Sequence, residues 1–315
     1  MSSELPEIEI RETPRLTPEQ AGILDLHSVL NVLNVLACEL QLLGIALEND
    51  SEVLRRSLAF CERFTRALSH PAEALALAGS TDAGAQEVLG EVDALIRRHP
   101  EQAGRVTVAN SRASIGSVLE VFCIRAKEIL ERAEHPLDWR AYEPEALRAG
   151  LVQVLRAIES HARGRLGFAF DGRRRSPNEY LVELIFDPGA EERIWLPPVM
   201  MDVMRDLLAN ARKYTEPGGR LALELSQTGG ELRLTVSDSG LGIPEDELSK
   251  VVQFGHRARN ALHIRTMGGG FGLTKAHWVT RQFGGRFWLA SRVGEGTRVR
   301  ILLPRPQASL HREMR

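Results

Sequence analysis

Three cysteines in 315 residues are too few to build a disulfide frame. Cys38, Cys61 and Cys123 are scattered through helical patterns. They read as buried, reduced thiols, not as metal ligands. Neither sign of charge prevails. Lys and Arg total 40 against 42 Asp and Glu, a net charge of −2, which excludes the strongly basic surface of a nucleic-acid binder or a polybasic membrane patch. The one basic run, Arg173-Arg174-Arg175, sits between Gly172 and Pro177 and reads as a solvated turn. No N-terminal apolar run has a basic flank and a small-residue cleavage site. The longest apolar stretch, Ile23 to Leu47, is interrupted by Asp25, His27, Asn31, Asn34, Glu39 and Gln41. By that reading it is too polar to span a bilayer cheaply. The expectations are a cytoplasmic chain, no membrane and no nucleic-acid partner.

What the sequence does hold is enough apolar material for real cores. Hydrophobic residues make up 43% and charged residues 26%. At roughly 150 residues per domain, the length suggests about two domains. Residues 1–16 are polar and read as a flexible tail. Thr17-Pro18-Glu19-Gln20 is a capping box with proline in the first turn, and it opens a helix over 18–48. Further helices are predicted at 51–70, 84–99, 115–134 and 144–163. The texture changes near Arg165. Strand-like runs at 166–170, 180–186, 221–225, 232–236 and 298–303 follow, with Gln227-Thr228-Gly229-Gly230 as a hairpin turn. Helices at 198–213 and 272–283 are interspersed, the second closed by Gly284-Gly285. The fold class is α+β. An N-terminal multi-helical bundle over 17–164 is followed by an α/β sandwich with a mixed sheet over 165–305, and a tail over 306–315.

Three clusters in the second half carry chemistry. RDLLANARKYT (205–215) sets Asp206, Asn210 and Lys213 at steps of four and three on one helical face, while Val203, Leu207 and Ala211 can face the sheet. A carboxylate, an amide oxygen and an ammonium in one stripe suit hydrated Mg²⁺ and a polyphosphate; taken alone, the stripe is an ordinary solvated face. SDSGLGIP (237–244) ends a strand with Asp238, an acceptor for an adenine amine, and with Gly240 and Gly242, which let the backbone turn close to a ligand. MGGGFGLTKAHW (267–278) leads four glycines into a helix whose free N–H groups form a phosphate site. It does not follow a strand in a βαβ unit, so a dinucleotide-binding Rossmann motif is excluded.

In this order and spacing the clusters resemble the N, G1 and G2 boxes of the ATP-binding domain of bacterial sensor histidine kinases, in the superfamily that includes gyrase and heat-shock chaperone ATPases. GGRFWLASRVGEGTRVRILLP (284–304) resembles that family's closing strands. The resemblance covers roughly 195–305. It implies ATP and Mg²⁺ as cofactors, Asn210 as the Mg²⁺ ligand, and Lys213 and Tyr214 at phosphate or ribose. It also implies Asp238 at adenine between Gly240 and Gly242, a lid hinge at Gly268, Gly270 and Gly272, and Thr297 in the adenine pocket. The lid would run from about Glu245 to Met267 and holds Phe254, Arg257, Arg259 and Arg265, one of which would meet the γ-phosphate. Asp206 stands where many members have Asn. It would serve either as general base or as an outer Mg²⁺ partner.

The family places an acceptor histidine on the first helix of a dimeric bundle. Here His27, Asn31, Asn34, Cys38 and Gln41 form the most regular polar row of the first helix, at steps of four and three. His27 fits the acceptor. Asn31 fits the position that orients a water for dephosphorylating a partner. Ser28 departs from the usual acid. Helices in 50–140 are extra to the family's two-helix hairpin. The resemblance implies a homodimeric histidine kinase that phosphorylates His27, passes the phosphoryl group to an aspartate of a response-regulator receiver domain, and can act as its phosphatase. The rivals are a kinase of the same superfamily acting on another residue of a partner, and a catalytically weak regulator switched by ATP.

Overall fold

The computed structural model describes residues 5–67, 70–134, 136–161, 165–264 and 270–306; the side chains of His27, Ser28, Pro71, residues 131–134, Ser160 and His161 also lie outside the description. The chain forms two compact units. One comprises Leu16–Pro136, the other the residues up to Arg15 together with Leu137 onward.

The helical unit begins with α1 (Pro18–Glu48), opened by the predicted capping box. The Gln20 N–H donates to Thr17 Oγ1 at 3.2 Å, and the Thr17 N–H to Gln20 Oε1 at 3.0 Å. Asn49, in the left-handed region at φ 54°, ends the helix. Then come α2 (Arg55–Ala67), α3 (Pro71–Ala78), α4 (Thr81–Arg98), α5 (Pro100–Ala103) and α6 (Val106–Glu134). Two short helices, α3 and α5, each led by proline, are additions to the sequence reading. Leu26, Val29, Leu33, Leu36, Leu40, Leu43 and Leu47 are buried. Their alternating steps of three and four give α1 a heptad seam. It packs on α6, with α2 and α4 completing the core. Phe122 meets Phe60 and Phe64 edge-on, at 5.7 and 5.0 Å between ring centroids.

Two expectations for this region change. All three cysteines are free, but Cys38 is exposed while Cys61 is buried. The Val29–Glu48 segment is also long and apolar enough to cross a membrane by length and composition, with mean hydropathy 1.8, so the polar interruptions do not exclude a span. Only 33% of that window is buried, because the leucine seam faces the helical core and the opposite side does not.

In the α/β unit a seven-stranded sheet runs β1-β8-β9-β7-β6-β4-β3. Its strands are β1 (Glu7–Glu9), β3 (Gly167–Ala169), β4 (Glu179–Asp187), β6 (Arg220–Gln227), β7 (Glu231–Asp238), β8 (Arg286–Arg292) and β9 (Gly296–Pro304). A separate ribbon pairs β2 (Arg140–Tyr142) with β5 (Ile194–Leu196). β3–β4 and β4–β6 are parallel and the rest antiparallel, so the sheet is mixed as expected. The helices α7 (Pro144–His161), α8 (Val199–Tyr214) and α9 (Gly272–Gln282) share one core with the sheet's inward residues, such as Val182, Leu223, Leu234 and Ile301.

Two domain expectations are corrected here. Residues 7–9, assigned to a flexible tail, form β1 and pair antiparallel with β8 from Glu7↔Ala290 to Glu9↔Trp288. Glu9 bonds Arg286 at 2.8 Å, Glu7 pairs with Arg300, and the two guanidinium groups lie 4.5 and 4.2 Å from the Trp288 ring. The division between units falls at Leu137, not near residue 165. Leu147, Leu151 and Leu155 of α7 form one apolar row that is buried in the core shared with Phe168, Tyr180 and Val182 of β3 and β4. Within the helical unit the long helix packed along α1 is α6. The tail residues 307–315 lie outside the described residues.

Candidate active site

α8 turns one side to the sheet, burying Val203, Leu207 and Ala211, and the edge of that side to a cavity. Asn210, Ala211 and Tyr214 of α8 line the cavity together with Asp238, Gly242, Gly270, Gly272 and Thr297. Two strands, two loops and the start of α9, far apart in the chain, thus meet the helix at one place. Val236, Leu241, Ile243, Leu273 and Val299 supply apolar walls.

Backbone geometry explains the glycines. Gly242 lies at φ +65°, and a Cβ there would collide with the Arg292 carbonyl. A Cβ on Gly272 would come within 2.5 Å of Asn210 Nδ2, so any side chain there would displace the Asn210 amide. Gly240 does not line the cavity; its N–H donates to Asp238 Oδ1 at 2.8 Å and holds the carboxylate. Ser291 Oγ accepts from the Ile243 N–H at 2.8 Å and lies 2.9 Å from Thr297 Oγ1, which fixes the glycine loop to β8 and β9.

Charge is arranged unevenly. Burial pushes the Asp238 carboxyl up to about 6, against the lowering effect of hydrogen bonds from the Gly240 and Thr297 N–H groups. Lys213 is pushed down to about 8, first by burial and then by the Arg257 and Arg212 guanidinium groups. Its Nζ lies 5.0 Å from the ring of Tyr214. Positive groups crowded together and half-desolvated suit a polyphosphate.

Some expected residues are elsewhere. Asp206 does not line the cavity; one of its oxygens is buried and lies 3.7 Å from Lys275 Nζ. Lys275, fully buried, bonds Asp202 at 3.2 Å, and Arg205 lies 3.4 Å from the same carboxylate. Asp206 thus serves as a counter-charge for α9, because the buried ammonium requires one. Asn31 lies in α1 of the helical unit, and so does the backbone of His27. Of the lid arginines, Arg257 lines the cavity. Arg259 is engaged by Asp246 and Glu247 at 2.7 and 2.9 Å. Arg265 and Gly268 lie outside the described residues. Sequence reasoning missed His256, Asn260 and the Asp202–Lys275 pair. Lys275 lay in view within a quoted motif, but nothing in one dimension pairs it with α8.

An α/β sandwich with a glycine-edged cavity between N-box helix, Asp238 strand and glycine-led helix defines a nucleotide-binding domain of the kinase–gyrase–chaperone type. Residues 197–307 match the family described as histidine kinase-, DNA gyrase B-, and HSP90-like ATPase. That segment belongs to this ATP-binding family, and the chain is a relative of bacterial sensor histidine kinases. It is 32% identical to the adaptive-response sensory kinase SasA of Synechococcus elongatus over 42% of this chain and 34% of that one. It is 31% identical to the sensor histidine kinase AruS of Pseudomonas aeruginosa over 55% of this chain and 19% of that one. The matched segments thus span about a third of the first relative's length and a fifth of the second's. Among solved structures it is similar to the mycobacterial sensor histidine kinase MprB, at 22% identity and TM-score 0.38 over 52% of this chain and 97% of that one. It is also similar to full-length ShkA in complex with AMPPNP, at 16% identity and TM-score 0.40 over 72% of this chain and 45% of that one.

Proposed function

We propose that this protein is a homodimeric histidine kinase that binds ATP-Mg²⁺, phosphorylates His27 and hands the phosphoryl group to an aspartate of a response-regulator receiver domain. The carrying observation is the single cavity that unites Asn210, Asp238, Gly242, Gly270, Gly272 and Thr297. Asp238 accepts from the adenine amine. Tyr214 and Arg257, which line the cavity, and Lys213 beside them would face the polyphosphate side. The donor set fits Mg²⁺: Asn210 offers one amide oxygen, and this ion usually keeps several waters and takes the rest of its ligands from phosphates. Bound there, it would neutralise charge on the phosphates.

The reaction needs no covalent chemistry from the cavity. A neutral His27 ring nitrogen attacks the γ-phosphorus, the β–γ bridging P–O bond breaks, and ADP leaves with that electron pair while the imidazole proton passes to water. In the second step an aspartate oxygen of the receiver attacks phosphorus and the N–P bond breaks, with the imidazole regaining a proton. Asn31 would orient the water that, in a separate phosphatase reaction, attacks the receiver's aspartyl phosphate and releases inorganic phosphate. A cytoplasmic location follows from the need for ATP.

Incubation with γ-labelled ATP tests the reading. Acid-labile label that disappears in His27→Ala, with ATP binding intact, supports it; acid-stable label on a partner points instead to a kinase acting on another residue. A second reading, an ATP-switched regulator without transfer, is favoured by one pair of observations: Ser28 replaces the usual acid, and Asp206 is occupied by Lys275. Tight ATP binding with no label would select it.

A further inference from the structure

We propose that Asn260 reads the nucleobase: its side-chain oxygen accepts a hydrogen bond from the exocyclic amine of adenine. The inference rests on the ATP reading of the cavity.

Asn260 lies in the 3₁₀ turn Arg259–Ala261 and lines the cavity. Its Nδ2 donates to the Gly242 carbonyl at 2.9 Å. That bond decides which way the amide faces. A carbonyl only accepts, so the NH₂ group must point at Gly242 and the oxygen must point away. Asn260 Oδ1 is buried and has no partner. Buried amide oxygens without a donor are rare, and one that borders a ligand cavity calls for a donor on the ligand.

The ligand's chemistry narrows the donor. Phosphate oxygens accept and do not donate at neutral pH, so the triphosphate cannot satisfy Oδ1. The donors of a nucleotide are its base amine and its ribose hydroxyls. Asn260 is bonded to the glycine loop that starts at Asp238, where Leu241, Ile243, Val236 and Val299 form apolar walls suited to a flat ring. The amine carries two hydrogens, so Asp238 and Asn260 can each take one. Guanine would instead present a carbonyl oxygen to two acceptors and be repelled.

The turn is held in place before any ligand arrives. The Arg259 N–H donates to Glu247 Oε2 at 2.9 Å, and Arg257 Nη2 to the Ala261 carbonyl at 2.9 Å. Asn260 therefore meets the base with its orientation already set, which limits the ordering cost of binding.

Calorimetric titration of the full chain with ATP-Mg²⁺, with purine riboside triphosphate (which lacks the amine) and with GTP tests this. Asn260→Ala should weaken ATP roughly five- to tenfold, leave the amine-free nucleotide nearly unchanged, and reduce the preference for ATP over GTP by a similar factor. Should Asn260→Ala fail to fold in a thermal melt, Asn260→Ser carries the same comparison. An equal loss for ATP and the amine-free nucleotide would mean that the Gly242 bond or a ribose contact is what matters, and would overturn the proposal, as would no loss at all. A wild-type chain that binds no ATP would instead sink the reading on which the proposal rests.

Discussion

Asp238 ionises against its surroundings. Its carboxyl titrates near 6 in the fold, above the ordinary 3.8, because burial penalises the charged form. Between those two values the folded state holds the proton more firmly than the unfolded chain does. Stability therefore falls as pH rises through that window, and the penalty is complete above about 6. Asp238→Asn should raise the melting temperature of the apo protein at pH 8, with the gain shrinking as pH falls through 6 toward 4. The same variant should lose ATP binding, measured by titration at pH 8. Lys213 behaves in the opposite sense. Burial beside Arg257 and Arg212 brings its ammonium down to about 8, so it sheds its proton as pH rises past that value. Polyphosphate binds the charged form, so ATP affinity should decline above pH 8. In Lys213→Met, titration across pH 7 to 9.5 should show a weaker but flat profile.

At the scale of elements, α8 and α9 are joined by charge inside a core. Lys275 has no solvent exposure, and its partners Asp202 and Asp206 lie on α8. Lys275→Met would leave two carboxylates facing each other without that cation, at a cost of about 3 kcal/mol in urea unfolding. Adding Asp202→Asn should recover part of the loss; no recovery would mean that Lys275 stabilises by packing alone. The first helix is governed differently. Leu36 is fully buried at the middle of the heptad seam, so Leu36→Ala should cost about 2–5 kcal/mol, whereas Asn34→Ala on the exposed side should cost little. The boundaries of α1, α8 and α9 were legible because caps, proline and glycine act locally. The partner of α1 was not: several later helices carry apolar rows, and the choice of α6 within the helical unit depends on the helices packed around both.

The molecule as a whole has two cores and two compact units. Thermal unfolding followed by calorimetry should resolve two transitions, and ATP-Mg²⁺ should raise only the one belonging to the α/β unit, since a ligand stabilises what it binds. A common shift of both transitions would show that the units unfold together. Much of this organisation was written in the chain. The three boxes made much of the cavity legible: Asn210, Asp238, Gly242, Gly270, Gly272 and Thr297 line it, because each motif needs its residue type for a local reason, whether a helix face, a strand end or a turn that only glycine tolerates. Lys213, Gly240 and Asp206 do not line it. Tertiary structure alone decided three other matters. Asp206 answers to Lys275 and not to the cavity; Glu7–Glu9 closes the sheet edge beside β8; and Asn260 turns its oxygen away from Gly242, whose carbonyl holds its amine. Each depends on an atom outside its own helix, strand or turn, 18 residues away for Asn260 and much farther for the other two. Charge pairing, edge pairing and amide orientation are set by which groups become neighbours once water is removed, and no local pattern encodes that.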